Sequence, residues 1–282
     1  MMDPHANPSV SECMQHALRQ GLARVDAQIL LLNALARPVH DRAWLLAHDT
    51  ELLTEAQQHN WDHALQRRLQ GEPVAYITGR KDFFGLTLNV DARVLDPRPD
   101  TEILVEWALE LLPCAPEHTL RVLDLGTGSG AVALALQQQR PAAQVTAVDA
   151  SADALAVASA NAQRLNLPVQ CLLGHWMDAV TGPFELIVSN PPYVAEGDPH
   201  LAALTHEPLI ALTSGADGLD DIRQIIAQAP SRLAPGGWLL LEHGWDQAPA
   251  VQDLLRTTGF VQVQSRRDLG GIERCTGAVM PE

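Results

Sequence analysis

The chain has little of what would place it in several common classes. Cysteine is scarce: Cys13, Cys114, Cys171 and Cys275 are the only four in 282 residues, and none forms a C-x-x-C pair. That scatter excludes a zinc ribbon or a disulfide framework and reads as reduced thiols. Cations are short too, with 19 Lys and Arg against 34 Asp and Glu for a net charge of -15. Gripping a phosphate backbone needs clustered Lys and Arg, so this balance speaks against direct nucleic-acid binding and leaves room for a basic protein partner. No apolar run approaches the ~18 residues of a spanning helix, and the start "MMDPHANPSV" lacks a basic and an apolar leader region. A soluble, cytoplasmic protein with no membrane contact is expected. His59 and His63 stand four apart, but H-E-x-x-H is absent and no third ligand is evident, so they read as surface histidines and no metal is expected.

What is present is a foldable chain, 46% hydrophobic and long enough for two domains. From about Val10 to Gln70 apolar residues recur at helical spacing: Ile29, Leu30, Leu32 and Leu35 form one stripe, Trp61, Leu65 and Leu69 another. Thr54 followed by Gln57 predicts a capping box before the second stripe. The alternation in Leu86-Thr-Leu-Asn-Val90 and the prolines of "VLDPRPD" then predict a hairpin connector. The expected organisation is a helical substrate-recognition domain over 1–74, a β-hairpin connector over 75–97 and an α/β domain over 98–282.

In that last part short β-rich runs alternate with helical stretches, the signature of a parallel sheet wrapped by helices. Seven strands are expected: Leu120 to Leu125, Gln144 to Asp149, Val169 to Leu173, Phe184 to Ser189, Gly237 to Glu242, Phe260 to Ser265 and Cys275 to Met280. The first ends in "DLGTGSG", which sets Gly126, Thr127, Gly128, Ser129 and Gly130 between a strand and a helix. Glycine permits the turn and lets backbone approach a ligand at the amides of a helix N-terminus. The glycines alone also satisfy a loose dinucleotide fingerprint. Asp149 ends the next strand, 19 residues after Gly130, where a carboxylate accepts ribose hydroxyls or caps the following helix. Asp124, just before the glycines, would repel a pyrophosphate but suits the cationic groups of S-adenosylmethionine, which is the expected cofactor.

"FELIVSNPPY" closes the fourth strand. Isolated, Asn-Pro-Pro-Tyr reads as a turn; at the carboxyl end of a strand in an open α/β sheet it reaches the same crevice as the glycine loop. Proline fixes its own φ and keeps the preceding residue out of the α region, so Asn190 and Pro191 are held extended. The Asn190 side-chain oxygen and a proline carbonyl then offer two acceptors to one NH2 group, a carboxamide or an aryl amine, and stabilise charge as it develops on nitrogen. Tyr193 supplies a flat wall. Asn190, Pro191 and Tyr193 are the candidate catalytic residues, and Asn190, Pro191, Pro192 and Tyr193 the candidate substrate contacts.

These residues resemble the release factor glutamine N5-methyltransferases, the PrmC or HemK family. "GEPVAYITGRKDFFG", "VLDPRPDTEILVEWAL", "DLGTGSGAVALAL", "VSNPPYV", "HEPLIALTSGADGLDDI" and "LLLEHGWDQ" are similar to family segments in family order. The resemblance implies a seven-stranded class I methyltransferase domain behind a helical domain that grips the substrate. It implies methyl transfer from S-adenosylmethionine to the glutamine of the Gly-Gly-Gln loop in peptide chain release factors. It adds Trp176 to the expected cofactor contacts, Asp124, Gly126 to Gly130, Asp149 and Asn190, and His175 departs from the acid that many relatives carry before this aromatic. A glutamine methyltransferase of a ribosomal protein, an adenine-N6 nucleic-acid methyltransferase and a non-catalytic S-adenosylmethionine-binding scaffold remain as alternatives. Glu102, Arg266, Arg267 and Arg274 carry no assigned role at this point.

Overall fold

The computed structural model describes residues 7–114 and 119–282, so the first six residues of "MMDPHANPSV" lie outside the described residues. The chain divides into two compact units, Met1–Arg80 and Lys81–Glu282.

The first unit is helical: α1 (Val10–Arg19), α2 (Arg24–Ala34), α3 (Arg42–Ala47), α4 (Glu55–Leu69) and α5 (Val74–Thr78). Capping boxes start two of its helices. Ser9 and Glu12 open α1, and Thr54 and Gln57 open α4, each pair exchanging side-chain and backbone hydrogen bonds. Such reciprocal caps satisfy amides that would otherwise have no partner in the first turn. Leu30, Leu31, Leu32, Trp61 and Leu65 meet in one core with Cys13 and Ala17. Full burial of each leucine contributes about 1.5–3 kcal/mol, enough to hold short helices together. Leu69, assigned to the same stripe as Trp61 and Leu65, is 45% exposed. It is the last residue of α4.

A hairpin of β1 (Arg80–Phe83) and β2 (Leu86–Asn89) follows, all but its first residue in the second unit. A 3₁₀ turn, Pro99–Thr101, leads into α6 (Glu102–Leu111). Then follow β3 (Arg121–Leu125), α7 (Ala131–Gln139), β4 (Gln144–Asp149), α8 (Ala152–Leu165), β5 (Gln170–Leu173), β6 (Phe184–Ser189), α9 (Asp220–Gln228), β7 (Leu233–Glu242), α10 (Ala248–Thr257), β8 (Val261–Arg267) and β9 (Glu273–Val279). The seven-stranded sheet runs β5-β4-β3-β6-β7-β9-β8. Neighbours from β5 to β7 are parallel, and β9 runs antiparallel to both β7 and β8. Leu123, Leu125, Ile187, Leu239 and Leu241 lie fully buried along its centre. Strands covered on both faces read as unbroken apolar runs, which is why "LIVS" and "WLLL" show no alternation.

β7 starts four residues before its expected beginning. Phe184 pairs with Leu233, and regular pairing resumes at Leu186 with Trp238 after a register shift through "APGG". Proline and glycine there mimic the end of an element while the ladder bulges around them. The order reverses at β3: the chain moves to β4 and β5 on one side, then returns to β6 on the other. Crevices at the carboxyl ends of such strands are where open α/β sheets take ligands.

Candidate active site

Five residues separate β3 from α7, and three of them need backbone that L side chains rarely adopt. Gly126, Gly128 and Gly130 have φ of +68°, +55° and +83°. The amides of Gly126 and Thr127 donate to the carbonyl of Val148 on β4, at 2.9 and 3.1 Å. Asp124 clamps the loop from below: its Oδ2 accepts from Thr127 Oγ1 at 2.7 Å and from the Ala133 amide at 3.1 Å. Burial pushes its carboxyl up to about 7 against the pull of those two donors, with Asp149 adding to the rise. Asn161, fully buried on α8, bonds both the amide and carbonyl of Asn89 and the carbonyl of Ser129, leaving no polar atom unmatched.

Asp149 ends β4 with Oδ2 accepting from the Gly128 amide and Oδ1 from the Ser151 amide, both at 2.9 Å. The helix cap itself is Ser151, whose hydroxyl accepts from Ala154. Asp149 is thereby held in place with lone pairs left for a ligand.

A cleft open to solvent lies over these strand ends. Gly126, Gly128, Asp149, Trp176, Asn190 and Pro192 line it, together with Arg93, His175, Ile210 and Asp221. Trp176 takes a left-handed backbone, φ +48°, uncommon for a bulky side chain. Its ring lies against Gly126, where a Cβ would meet it at an ordinary contact distance of 3.5 Å. The indole Nε1 is buried without a hydrogen-bond partner. A donor left unpaired in the wall of a cleft fits an acceptor brought by a ligand. Trp176 is also part of the main core, so packing and lining are roles of one side chain.

β6 delivers the second motif. Ser189 Oγ donates to the carbonyl of Leu125 at 2.8 Å and binds the ends of β6 and β3 together. Asn190 Nδ2 donates to Thr101 Oγ1 at 3.1 Å, which leaves its Oδ1 as the acceptor available at the cleft. Tyr193 Oη donates to Glu242 Oε1 at 3.3 Å, and the Tyr193 carbonyl accepts from Gln247 Nε2 at 3.0 Å. Gly218 packs against that carbonyl so closely that a Cβ would sit 2.3 Å from it. The loop that follows is tied down by Glu207, which accepts from the Asp96 amide and from Arg98 at 2.6 Å, while Lys81 pairs with Asp96 at 3.0 Å.

The structure thus brings Gly126, Gly128, Asp149, Trp176, Asn190 and Pro192 to one cleft. Asp124, Thr127, Ser129, Gly130, Pro191 and Tyr193 stand behind that wall and shape it. Thr101, Glu242 and Arg93 went unassigned from sequence, although the strand-end rule that picked out Asp149 applies equally to Glu242. Glu102 accepts from the Phe84 amide at 3.0 Å and anchors the hairpin. Arg266 and Arg267 pair with Glu110 and Glu273, and Arg274 with Asp268 and Asp100.

Residues 101–266 match the family described as Methyltransferase small domain, and residues 12–79 match the PrmC N-terminal domain. Among solved structures, a methyltransferase from Pyrococcus furiosus superposes with a TM-score of 0.56 at 18% identity, over 78% of this chain and 100% of that one. The 16S rRNA N2 G1207 methyltransferase of T. Thermophilus, in complex with AdoMet and guanosine, gives 0.55 at 23% identity, over 71% of this chain and 49% of that one. Both share the fold. The release factor glutamine methyltransferase of Bordetella pertussis is 50% identical over 266 residues, 92% of this chain and 96% of its own length. That of Escherichia coli is 43% identical over 274 residues, 93% and 97% respectively. With identity sustained through both units and the cleft between the glycine loop and Asn-Pro-Pro-Tyr, this chain belongs to the release factor glutamine methyltransferase family.

Proposed function

We propose that this chain methylates the side-chain amide nitrogen of the glutamine in the Gly-Gly-Gln loop of peptide chain release factors. The observation that carries the reading is the Asn190 carboxamide, its nitrogen tied to Thr101 and its oxygen left for the cleft. A primary amide nitrogen is a poor nucleophile because its lone pair is delocalised. Accepting its two N–H groups, at Asn190 Oδ1 and a carbonyl of the proline pair, orients that lone pair and favours the charge that grows on nitrogen. Tyr193 holds its ring beside this turn through Glu242.

S-adenosylmethionine supplies an electrophilic methyl group when bound. The residues present fit it: Asp149 has acceptors for ribose hydroxyls, the backbone at Gly126 and Gly128 allows close approach, and Trp176 offers a flat face with an unsatisfied N–H. Asp124, Thr127, Ser129 and Gly130 hold the loop that makes the contact. Residues 1–74 serve as the substrate-gripping domain, 75–97 as the connector and 98–282 as the catalytic domain. The net charge of -15 supports a protein substrate with no direct nucleic-acid contact, in the cytoplasm where release factors act. No helix among the described residues is long and apolar enough to cross a membrane.

Incubation with labelled S-adenosylmethionine and, separately, a release factor, the same factor with its loop glutamine replaced, a ribosomal protein and DNA tests the reading. Label only on the intact factor is expected. Equal label on the replaced factor, or label confined to the ribosomal protein or DNA, overturns it.

A further inference from the structure

An asparagine carboxamide is nearly symmetric in shape, so geometry alone does not decide whether its oxygen or its NH2 faces a substrate. At Asn190 the difference is decisive, because an NH2 turned outward would set donors against the donors of the glutamine amide. The inward end of Asn190 meets Thr101 Oγ1 at 3.1 Å. A hydroxyl, however, can donate as well as accept, and so fixes no direction by itself. Behind it stands Glu242 at the end of β7, 1% exposed, its Oε1 accepting from Tyr193 Oη at 3.3 Å and its carboxyl drawn down by the nearby Thr101 hydroxyl. An ionised carboxylate only accepts. With the hydroxyl proton of Thr101 directed at such an acceptor, Oγ1 has lone pairs alone to offer Asn190.

We propose that Thr101 and Glu242 are positioning residues for methyl transfer: the Glu242 carboxylate draws the hydroxyl protons of Thr101 and Tyr193 inward, which turns Asn190 Nδ2 toward Thr101 and Asn190 Oδ1 toward the substrate amide. The inference rests on the glutamine-methylating reading above and names what sets the polarity of its key acceptor. It gives a role to an acid that lies buried with Oε2 lacking any hydrogen bond. Burying a carboxylate so incompletely matched is unfavourable, and a hydroxyl would have filled the space at less cost.

Protonation gives the arrangement a direction. A neutral Glu242 carries a proton of its own to donate, which frees the Thr101 hydroxyl to turn toward Asn190 Oδ1 and the carboxamide to rotate. Burial raises the Glu242 carboxyl to about 7, with Asp100 raising it further and Thr101, Tyr193 and Arg274 drawing it back. The other titratable groups around it are Cys275 on β9, itself raised far above its ordinary range, and His243, lowered by burial. Turnover should accordingly fall as the medium is made acidic through neutrality.

The test compares Thr101→Val, Thr101→Ser and Glu242→Gln in the full chain, measuring kcat and KM with a release factor, cofactor Kd, and kcat against pH. Thr101→Val and Glu242→Gln should each lower kcat by about 100-fold, the scale of a misaligned reacting group, with Kd for the cofactor and KM within about threefold. Thr101→Ser should recover kcat to within about fivefold, since it restores the hydroxyl. The acid limb of the wild-type profile should be missing in Glu242→Gln. Thr101→Val with near-normal kcat, Thr101→Ser as impaired as Thr101→Val, or an unchanged acid limb in Glu242→Gln each overturns the proposal. If Glu242→Gln fails to fold, as thermal melting would reveal, the Thr101 pair still decides. Failure of the wild-type chain to label any release factor refutes the parent reading instead, and the two failures are thereby distinct.

Discussion

Two loops leave neighbouring strands at the same end of the sheet and are built from opposite materials. After β3 come three glycines at positive φ; after β6 come an asparagine and two prolines. The first loop must reach conformations closed to other residues and let backbone stand close to a ligand, so freedom is selected and stiffness is supplied from outside by Asp124 and Asp149. The second must hold one acceptor still, so stiffness is built into the chain itself. Yet each is backed by a buried carboxyl raised to about 7, Asp124 under the glycines and Glu242 behind the prolines. Loop material and supporting acid are separable devices, and substitution can take them apart.

The largest effect should come from the acceptor. Asn190→Ala should reduce turnover by about 10²–10³-fold, the scale for removing one preorganised polar contact to developing charge, while cofactor affinity changes little. Single-turnover kinetics with a cofactor titration checks it, and loss of cofactor affinity in place of turnover would erase the division of labour between the loops.

The supporting acids come next, through pH. Both carboxyls hold protons in the folded chain between their ordinary values near 4 and about 7, where the unfolded chain has released them. More protons bound in the folded state means that stability falls as pH rises across that window, each group contributing a slope of at most about 1.4 kcal/mol per pH unit. Thermal melting from pH 5 to 8 should show the decline, and Asp124→Asn and Glu242→Gln should each flatten it. A melting temperature that climbs over this interval in the wild type would contradict the raised values. The same sign implies that Glu242 is least favourable to stability in the ionised form that the positioning scheme uses.

Gly126→Ala should follow, at about 1–2 kcal/mol for forcing an L residue to the φ of +68° that this turn needs, with cofactor Kd raised as the strained loop shifts. Calorimetric titration and melting report the two parts separately. Smallest should be Pro191→Ala, which gives the unfolded chain more freedom and loses about 0.4–1 kcal/mol. Its turnover should fall by less than about tenfold, as expected if 1.4 kcal/mol corresponds to a factor of ten. A larger loss would mean that the proline ring contacts substrate as well as stiffening the turn.

Reading along the chain found the elements better than their ends, and single motifs better than what stands behind them. "VLDL" and "LIVS" announce buried parallel strands because both faces are covered, and Thr54 with Gln57 marks a helix start from two residues. Asp124 is a different matter. A strand-end acid beside glycines suits a cationic ligand on paper, whereas in the fold its Oδ2 is bonded to Thr127 and Ala133 and it braces the loop from beneath. Leu69 fits its stripe and is still 45% exposed, since periodicity reports which face of a helix is apolar but not how far along it that face is covered.

By itself the sequence determined the alternation of strands and helices, the glycine turn and the stiffened Asn-Pro-Pro-Tyr, because apolar period, positive φ and locked φ are properties of residues and their immediate neighbours. Only the tertiary structure decided that Thr101, from a turn ahead of α6, meets the Asn190 amide, and that Glu242, from the far end of β7, meets Tyr193 beside it. Hydrogen-bond polarity depends on which groups meet across the sheet, and that is settled by strand order, which no local pattern records.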